Sequence, residues 1–160
     1  MIRTAIVTVS DSAFAGTRED KSGAGLEARI VELGWTMVAR HLVPDETAQI
    51  SSLLSQLAHD ATVDLIVTTG GTGLALRDVT PEATRAISNR EIPGFGETMR
   101  AAGLQSTKYS PLSRSTAFTA GTTLILNLPG SPRGALQSFD AVSALIPHAV
   151  DLLHGRTEHK

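Results

Sequence analysis

The 160-residue chain contains no cysteine, which excludes disulfides, thiolate nucleophiles and cysteine-ligated zinc or iron–sulfur centres. Aromatic residues make up 4%, with one Trp and one Tyr, too few for the stacking platforms of single-strand nucleic-acid binders. Neither sign of charge dominates. Fourteen basic against sixteen acidic residues leave a formal charge of −2, so no general field draws in a polyanion such as duplex nucleic acid. Nucleic acid is therefore not an expected partner, and any anionic ligand must be held by local groups. No apolar run reaches the roughly 20 residues of a membrane helix, and Met1-Ile2-Arg3 leads straight into a strand-like segment rather than a signal-peptide core. No membrane or secretory address is expected, and the lack of cysteine points weakly to the cytoplasm.

What is present is an ordinary globular composition, 41% hydrophobic and 19% charged, of a length that suits one domain over residues 1–160. Thr4 to Val9 is β-branched and apolar on both alternating faces, as a strand buried between two layers should be. A long polar loop follows from Ser10 to Ser22. Leu26, Ile30 and Leu33 then share a helical face with Gly34 behind them. Trp35 to Val43 predicts a strand, and Ile50, Leu53, Leu54 and Leu57 a helix. Leu65 to Thr68 and Thr122 to Leu128 predict further buried strands. Thr80-Pro81 fits a helix start with Thr80 as cap, Glu97 to Leu104 a short helix, and Leu136 to Leu153 a long final helix that Pro147 kinks. Alternating strands and helices imply an α/β fold: a three-layer sandwich with a mostly parallel central sheet covered by helices on both faces. In such sheets ligands bind beyond the strand C-termini, so the loops from Ser10, Gly70 and Pro129 should converge on one cleft.

Thr69-Gly70-Gly71-Thr72-Gly73 lets backbone N–H groups approach phosphate oxygens, although a tight strand-to-helix turn also explains the glycines. It lacks the Lys and hydroxyl of a P-loop. Asp45 and Asp78 leave strands on the presumed ligand side, where each either caps the following helix or ligates a divalent cation. Ser10-Asp11-Ser12 and Ser113-Arg114-Ser115 offer hydroxyls and a cation, and Pro129-Gly130-Ser131-Pro132 opens a helix whose dipole favours an anion. Each alone is also ordinary loop chemistry. The five histidines show no zinc spacing and read as surface residues, and no serine occupies a nucleophile elbow.

Taken in order, Thr8-Val9-Ser10-Asp11-Ser12, Val43-Pro44-Asp45-Glu46, Thr68 to Gly73, Arg77-Asp78-Val79-Thr80-Pro81-Glu82, Ile92-Pro93-Gly94, Leu112-Ser113-Arg114-Ser115 and Asn127-Leu128-Pro129-Gly130-Ser131-Pro132 resemble the molybdenum-cofactor biosynthesis family of MogA/MoaB type. The resemblance spans nearly the whole chain. It implies magnesium-dependent transfer of AMP from the co-substrate ATP to the terminal phosphate of molybdopterin, with release of pyrophosphate, in a homotrimer that hands its product to a separate molybdate-insertion protein. By the same resemblance Asp45 and Asp78 are the catalytic, Mg2+-organising acids, and Gly70, Gly71, Thr72 and Gly73 bind the nucleotide. Ser10, Asp11, Ser113, Arg114 and Pro129, Gly130, Ser131 and Pro132 then face molybdopterin, with Arg77 and Lys21 as further phosphate contacts. A catalytically silent, molybdopterin-binding scaffold of the same family is the alternative, and a generic nucleotide-binding module ranks behind both.

Overall fold

Strands buried on both faces must be apolar at nearly every position, and three segments meet that demand. In the computed structural model, which describes residues 1–157, β1 (Arg3–Val9), β3 (Leu65–Thr69) and β6 (Thr123–Leu128) are almost wholly buried and form the centre of the sheet. β2 (Thr36–Val43) runs parallel to β1 at one edge and alternates in exposure. On the other side β6 is joined through Gly121-Thr122 to β5 (Thr116–Ala120), with which it pairs antiparallel, and β5 pairs antiparallel with β4 (Arg90–Ile92). The strand order is β2-β1-β3-β6-β5-β4.

Helices cover both faces. On one, Leu26 and Ile30 of α2 (Lys21–Glu32), Phe95 and Met99 of α5 (Pro93–Gly103), Phe139 of α6 (Pro132–Val142) and Ile146 and Val150 of α7 (Ile146–Leu153) pack on Ile6, Val67, Leu124 and Leu126. On the other, Ile50, Leu54 and Leu57 of α3 (Thr47–His59) and Ala83 of α4 (Thr80–Arg85) pack on Val7, Ile66, Phe118 and Ile125. This is the expected three-layer α/β sandwich. Phe139 is fully buried with Trp35 edge-on at 5.9 Å, so truncating it to Ala should cost about 3–5 kcal/mol. No helix among the described residues is long and apolar enough to cross a membrane.

Four local expectations are corrected. The polar loop after β1 contains a one-turn helix, α1 (Asp11–Phe14), and α2 begins already at Lys21, because Asp20 caps it by accepting from the Gly23 amide at 2.9 Å. Thr80 is not a cap but the first helical residue, with its hydroxyl donating to the Gly70 carbonyl at 2.8 Å. The long C-terminal helix is two helices joined by a 3-10 turn at Ser143–Leu145; Pro147 lies in the first turn of α7, where a missing N–H costs nothing, and so kinks no interior. His154 is not a free surface residue, since its Nε2 is buried 3.3 Å from Asp64 Oδ1.

Candidate active site

The parallel strands all point their C-terminal ends the same way, so the loops after β1, β2, β3 and β6 meet over one end of the sheet. They enclose a cleft of about 580 Å3 lined by Ser10, Asp45, Gly70, Gly71, Asp78, Gly130, Ser131 and Pro132. The floor is the glycine loop. Gly70 has φ +107°, and a β-carbon there would stand 2.1 Å from the Val9 carbonyl oxygen, so no other residue fits. Its amide donates to Leu128 O and Thr69 Oγ1 donates to Pro129 O, which ties the loop to the Pro129 segment. No hydrogen bond within the described residues takes the amides of Gly71, Thr72 and Gly73. Unpaired backbone donors on a curved loop are an anion-binding arrangement.

Asp45 and Asp78 line this same cleft, close enough for the charge of Asp78 to act on the Asp45 carboxyl. A β-carbon on Gly73 would collide with Asp78 Oδ2 at 2.7 Å, while one on Gly71 would strike Thr80 Oγ1 at 2.3 Å and touch Asp45 Oδ1 at 3.4 Å. Neither acid caps a helix. Glu46 and Val79 occupy the cap positions of α3 and α4, with no side-chain cap bond in either case. Asp45 Oδ2 instead accepts from the Asp11 amide at 2.9 Å, and Asp78 Oδ2 accepts from the Ala75 amide at 2.9 Å. Burial, together with the like charges of Asp11 and Asp78, holds the Asp45 carboxyl above the ordinary carboxylate range, against the bond from the Asp11 amide and the charge of Arg77.

The other expected residues divide. Ser10 and Gly130 to Pro132 line the main cleft, but Ser113 does not. Ser113, Leu112, Leu74 and Pro129 border a second, more apolar depression of about 510 Å3, which shares Gly71, Asp78 and Gly130 with the first. Thr72 is buried, 3.5 Å from the Ser115 hydroxyl, so its side chain supports the loop from below. Arg114 is taken by protein: Nε donates to Gly73 O at 2.8 Å, one terminal nitrogen to Asp78 O at 2.7 Å, and the other pairs with Glu82. It therefore grips the backbone at both ends of the segment from Gly73 to Asp78. Asp11 and Arg77 bind one another, Nε to Oδ2 at 2.6 Å, and neither lines the cleft.

Sequence reasoning missed Arg18 and Asp20, which line the cleft beside Lys21. Asp20 closes the Ser10 to Lys21 loop onto the sheet: Thr8 Oγ1 and Arg40 donate to its Oδ2 at 2.7 and 3.0 Å. Burial pushes its carboxyl up, yet the Gly23 amide, Thr8 and Arg40 together bring it below the ordinary value. Reading Asp20-Lys21-Ser22-Gly23 as a cap followed by a helix start would have found it.

Among the described residues no ion pair engages Asp45 or Asp78, and no three His, Asp or Glu side chains form a metal cage. Two carboxylates with an oxygen each left over beside unpaired amides fit Mg2+, which takes one or two protein carboxylates and completes its shell with phosphate and water.

Comparison with known proteins agrees with this geometry. The chain is 39% identical over 156 residues to a molybdopterin adenylyltransferase of Helicobacter pylori, covering 96% of this chain and 89% of that one. It is 37% identical over 168 residues to the molybdopterin adenylyltransferase of Escherichia coli K12, covering 96% and 86%. The crystal structure of the molybdopterin biosynthesis enzyme MoaB from Thermus thermophilus superposes with a TM-score of 0.90 at 47% identity, covering 97% of this chain and 98% of that one. Residues 5–148 match the probable molybdopterin binding domain, and the chain belongs to that molybdenum-cofactor biosynthesis family.

Proposed function

We propose that the chain is a molybdopterin adenylyltransferase. An oxygen of the terminal phosphate of molybdopterin attacks the α-phosphorus of ATP, the bond between the α-phosphorus and the bridging oxygen to the β-phosphate breaks, and pyrophosphate leaves. The observation that supports this most directly is the pair Asp45 and Asp78, both without an ion-pair partner among the described residues, beside a glycine loop whose amides at Gly71, Thr72 and Gly73 take part in no hydrogen bond there. Nucleotidyl transfer needs no covalent intermediate on the protein, since positioning and charge stabilisation supply the catalysis.

In this reading Asp45 and Asp78 hold Mg2+, which when bound neutralises charge on the triphosphate and its leaving group. The amides of the glycine loop take nucleotide phosphate oxygens. Ser10, with Ser131 and Pro132 at the start of α6, lines the opposite wall, and Lys21 and Arg18 supply cations at the rim. The depression beside Ser113 and Pro129 takes the pterin, and the shared residues Gly71, Asp78 and Gly130 mark where the two substrates' phosphates meet. The same reading carries a homotrimer, a cytoplasmic setting and a separate molybdate-insertion protein downstream.

The test is pyrophosphate release and formation of adenylylated molybdopterin from purified molybdopterin and Mg-ATP. Asp78→Asn should keep the fold and lower the rate at least about 100-fold. An undiminished rate in that variant would refute the assignment, and pterin binding without turnover by the unaltered protein would favour the silent scaffold instead.

A further inference from the structure

Three loops that must act together are joined by one set of polar contacts outside the cleft. Asp11, after β1, and Asp45, after β2, bind reciprocally: the Asp11 amide donates to Asp45 Oδ2 at 2.9 Å, and the Asp45 amide donates to Asp11 Oδ1 at 3.0 Å. Arg77, after β3, closes the set by donating to both Asp11 oxygens at 2.6 and 3.0 Å and to Glu46 Oε1 at 2.9 Å. Its sequence neighbour is Asp78, and Asp11's bonding partner is Asp45. We propose that Arg77 and Asp11 are positioning residues: they fix the separation and aim of the Asp45 and Asp78 carboxylates rather than touching phosphate or pterin.

Two features support this over a phosphate-binding role. Neither Arg77 nor Asp11 lines the cleft, and both oxygens of Asp11 are occupied. The contacts also fix which Asp45 oxygen is available, because Oδ2 is held by the Asp11 amide while no hydrogen bond among the described residues takes Oδ1. The side chains of Arg77, Asp11 and Glu46 are 57%, 45% and 52% exposed, and pairs so exposed add little stability. Contacts outside the ligand set that orient metal-binding carboxylates nonetheless change metal affinity or activity by about 10–100-fold.

The inference rests on the adenylyl-transfer reading, and its test separates the two. Mn2+ binding in the presence of a non-hydrolysable ATP analogue, followed by electron paramagnetic resonance, is measured beside turnover for the unaltered protein, Arg77→Met, Arg77→Lys and Asp11→Asn. Arg77→Met should melt within about 3 °C of the unaltered protein, weaken Mn2+ about 10-fold or more, and lower kcat, with any rise in KM for ATP no larger than the loss in Mn2+ affinity to which it is linked. Arg77→Lys should recover only part, because an ammonium cannot bridge both Asp11 oxygens and Glu46 together. Asp11→Asn keeps an acceptor for the Asp45 amide but loses the charge facing Arg77, and should weaken Mn2+ in the same direction. Combined with Arg77→Met it should add almost nothing, as expected of residues acting as one unit. An unchanged Mn2+ isotherm, or a rise in KM for ATP with kcat kept, would overturn the inference, the latter showing a direct phosphate contact. Absence of turnover in the unaltered protein, with the Mn2+ effects intact, would defeat the adenylyl-transfer reading and leave the positioning role standing.

Discussion

Gly130 lies against Gly70 so closely that a β-carbon on residue 130 would stand 3.2 Å from the Gly70 Cα. The two loops that floor the cleft, one after β3 and one after β6, are thus packed backbone to backbone. A side chain at Gly130 would press on the Gly70 backbone, whereas one at Gly70 would strike the end of β1. Gly70→Ala adds a left-handed backbone angle, φ +107°, and a collision with the Val9 carbonyl. The expected loss is about 2–4 kcal/mol, read from urea unfolding, whereas Gly130→Ala needs only a few tenths of an ångström of relaxation and should cost less than half as much. Equal costs for the two would show that the strain lies elsewhere.

The role proposed for Asp45 comes at the expense of stability. Because its carboxyl is held above the ordinary range by burial and by Asp11 and Asp78, the folded chain takes up a proton there before the unfolded chain does. Stability from this group therefore falls as pH rises through its native pKa and is lowest near neutrality. Asp45→Asn keeps an acceptor for the Asp11 amide and removes the charge. At pH 7 its melting temperature should equal or exceed that of the unaltered protein while AMP transfer collapses, a trade-off common at functional sites. A clear fall in melting temperature would mean that the charge stabilises the fold after all.

The central strands were legible because burial on both faces forces unbroken apolar, β-branched runs such as Leu65-Ile66-Val67. The antiparallel edge was not. Arg90–Ile92 is three residues long, and Thr116-Ala117-Phe118-Thr119-Ala120 has little strand signal of its own; it is defined by pairing with Thr123–Leu128. At the site, Asp45, Asp78 and the glycines could be singled out because they leave strands at the ligand end. What each polar side chain binds could not. Arg114 reaches back 36 positions to Asp78 O, and Asp11 meets a residue 34 positions away, so their protein partners lie far outside any local sequence window.

The opposite end of the sheet carries the main acid-sensitive tie. Asp64 is 5% exposed, and Arg3 grips it three times, through its amide at 2.9 Å, Nε at 3.0 Å and a terminal nitrogen at 2.6 Å. Burial pushes the Asp64 carboxyl up, but the Arg3 side chain, Arg3 amide and His154 outweigh it and hold it below the ordinary value. A depressed carboxylate stabilises the fold above the unfolded pKa of about 4 and loses that contribution as pH falls through its native pKa. Asp64→Asn should therefore cost about 1–3 kcal/mol at pH 7. The difference between the two proteins should shrink as pH falls below about 4 and through the depressed native pKa; a difference constant across that range would show that packing, not charge, is what Asn lacks.

Linkage between metal, nucleotide and stability tests the site without any pterin. Two carboxylates without phosphate are a weak Mg2+ site, so Mg2+ alone at about 5 mM should barely move the melting temperature. ATP alone meets Asp45 and Asp78 with like charge and should also stabilise little. Together the carboxylates and triphosphate oxygens would hold the ion while the amides of Gly71, Thr72 and Gly73, which take part in no hydrogen bond among the described residues, would donate to phosphate oxygens, and a ligand present at about 100 times its Kd adds roughly 2.7 kcal/mol. The combined shift should thus exceed the sum of the separate ones. Asp78→Asn should abolish that excess while leaving the effect of ATP alone intact or slightly larger, because it deletes a ligand charge that also repels the triphosphate and leaves the loop amides in place. EDTA added to the ternary mixture should return the melting curve to that of ATP alone. Shifts that simply add, or an Asp78→Asn protein that still shows the excess, would place the metal away from these two acids.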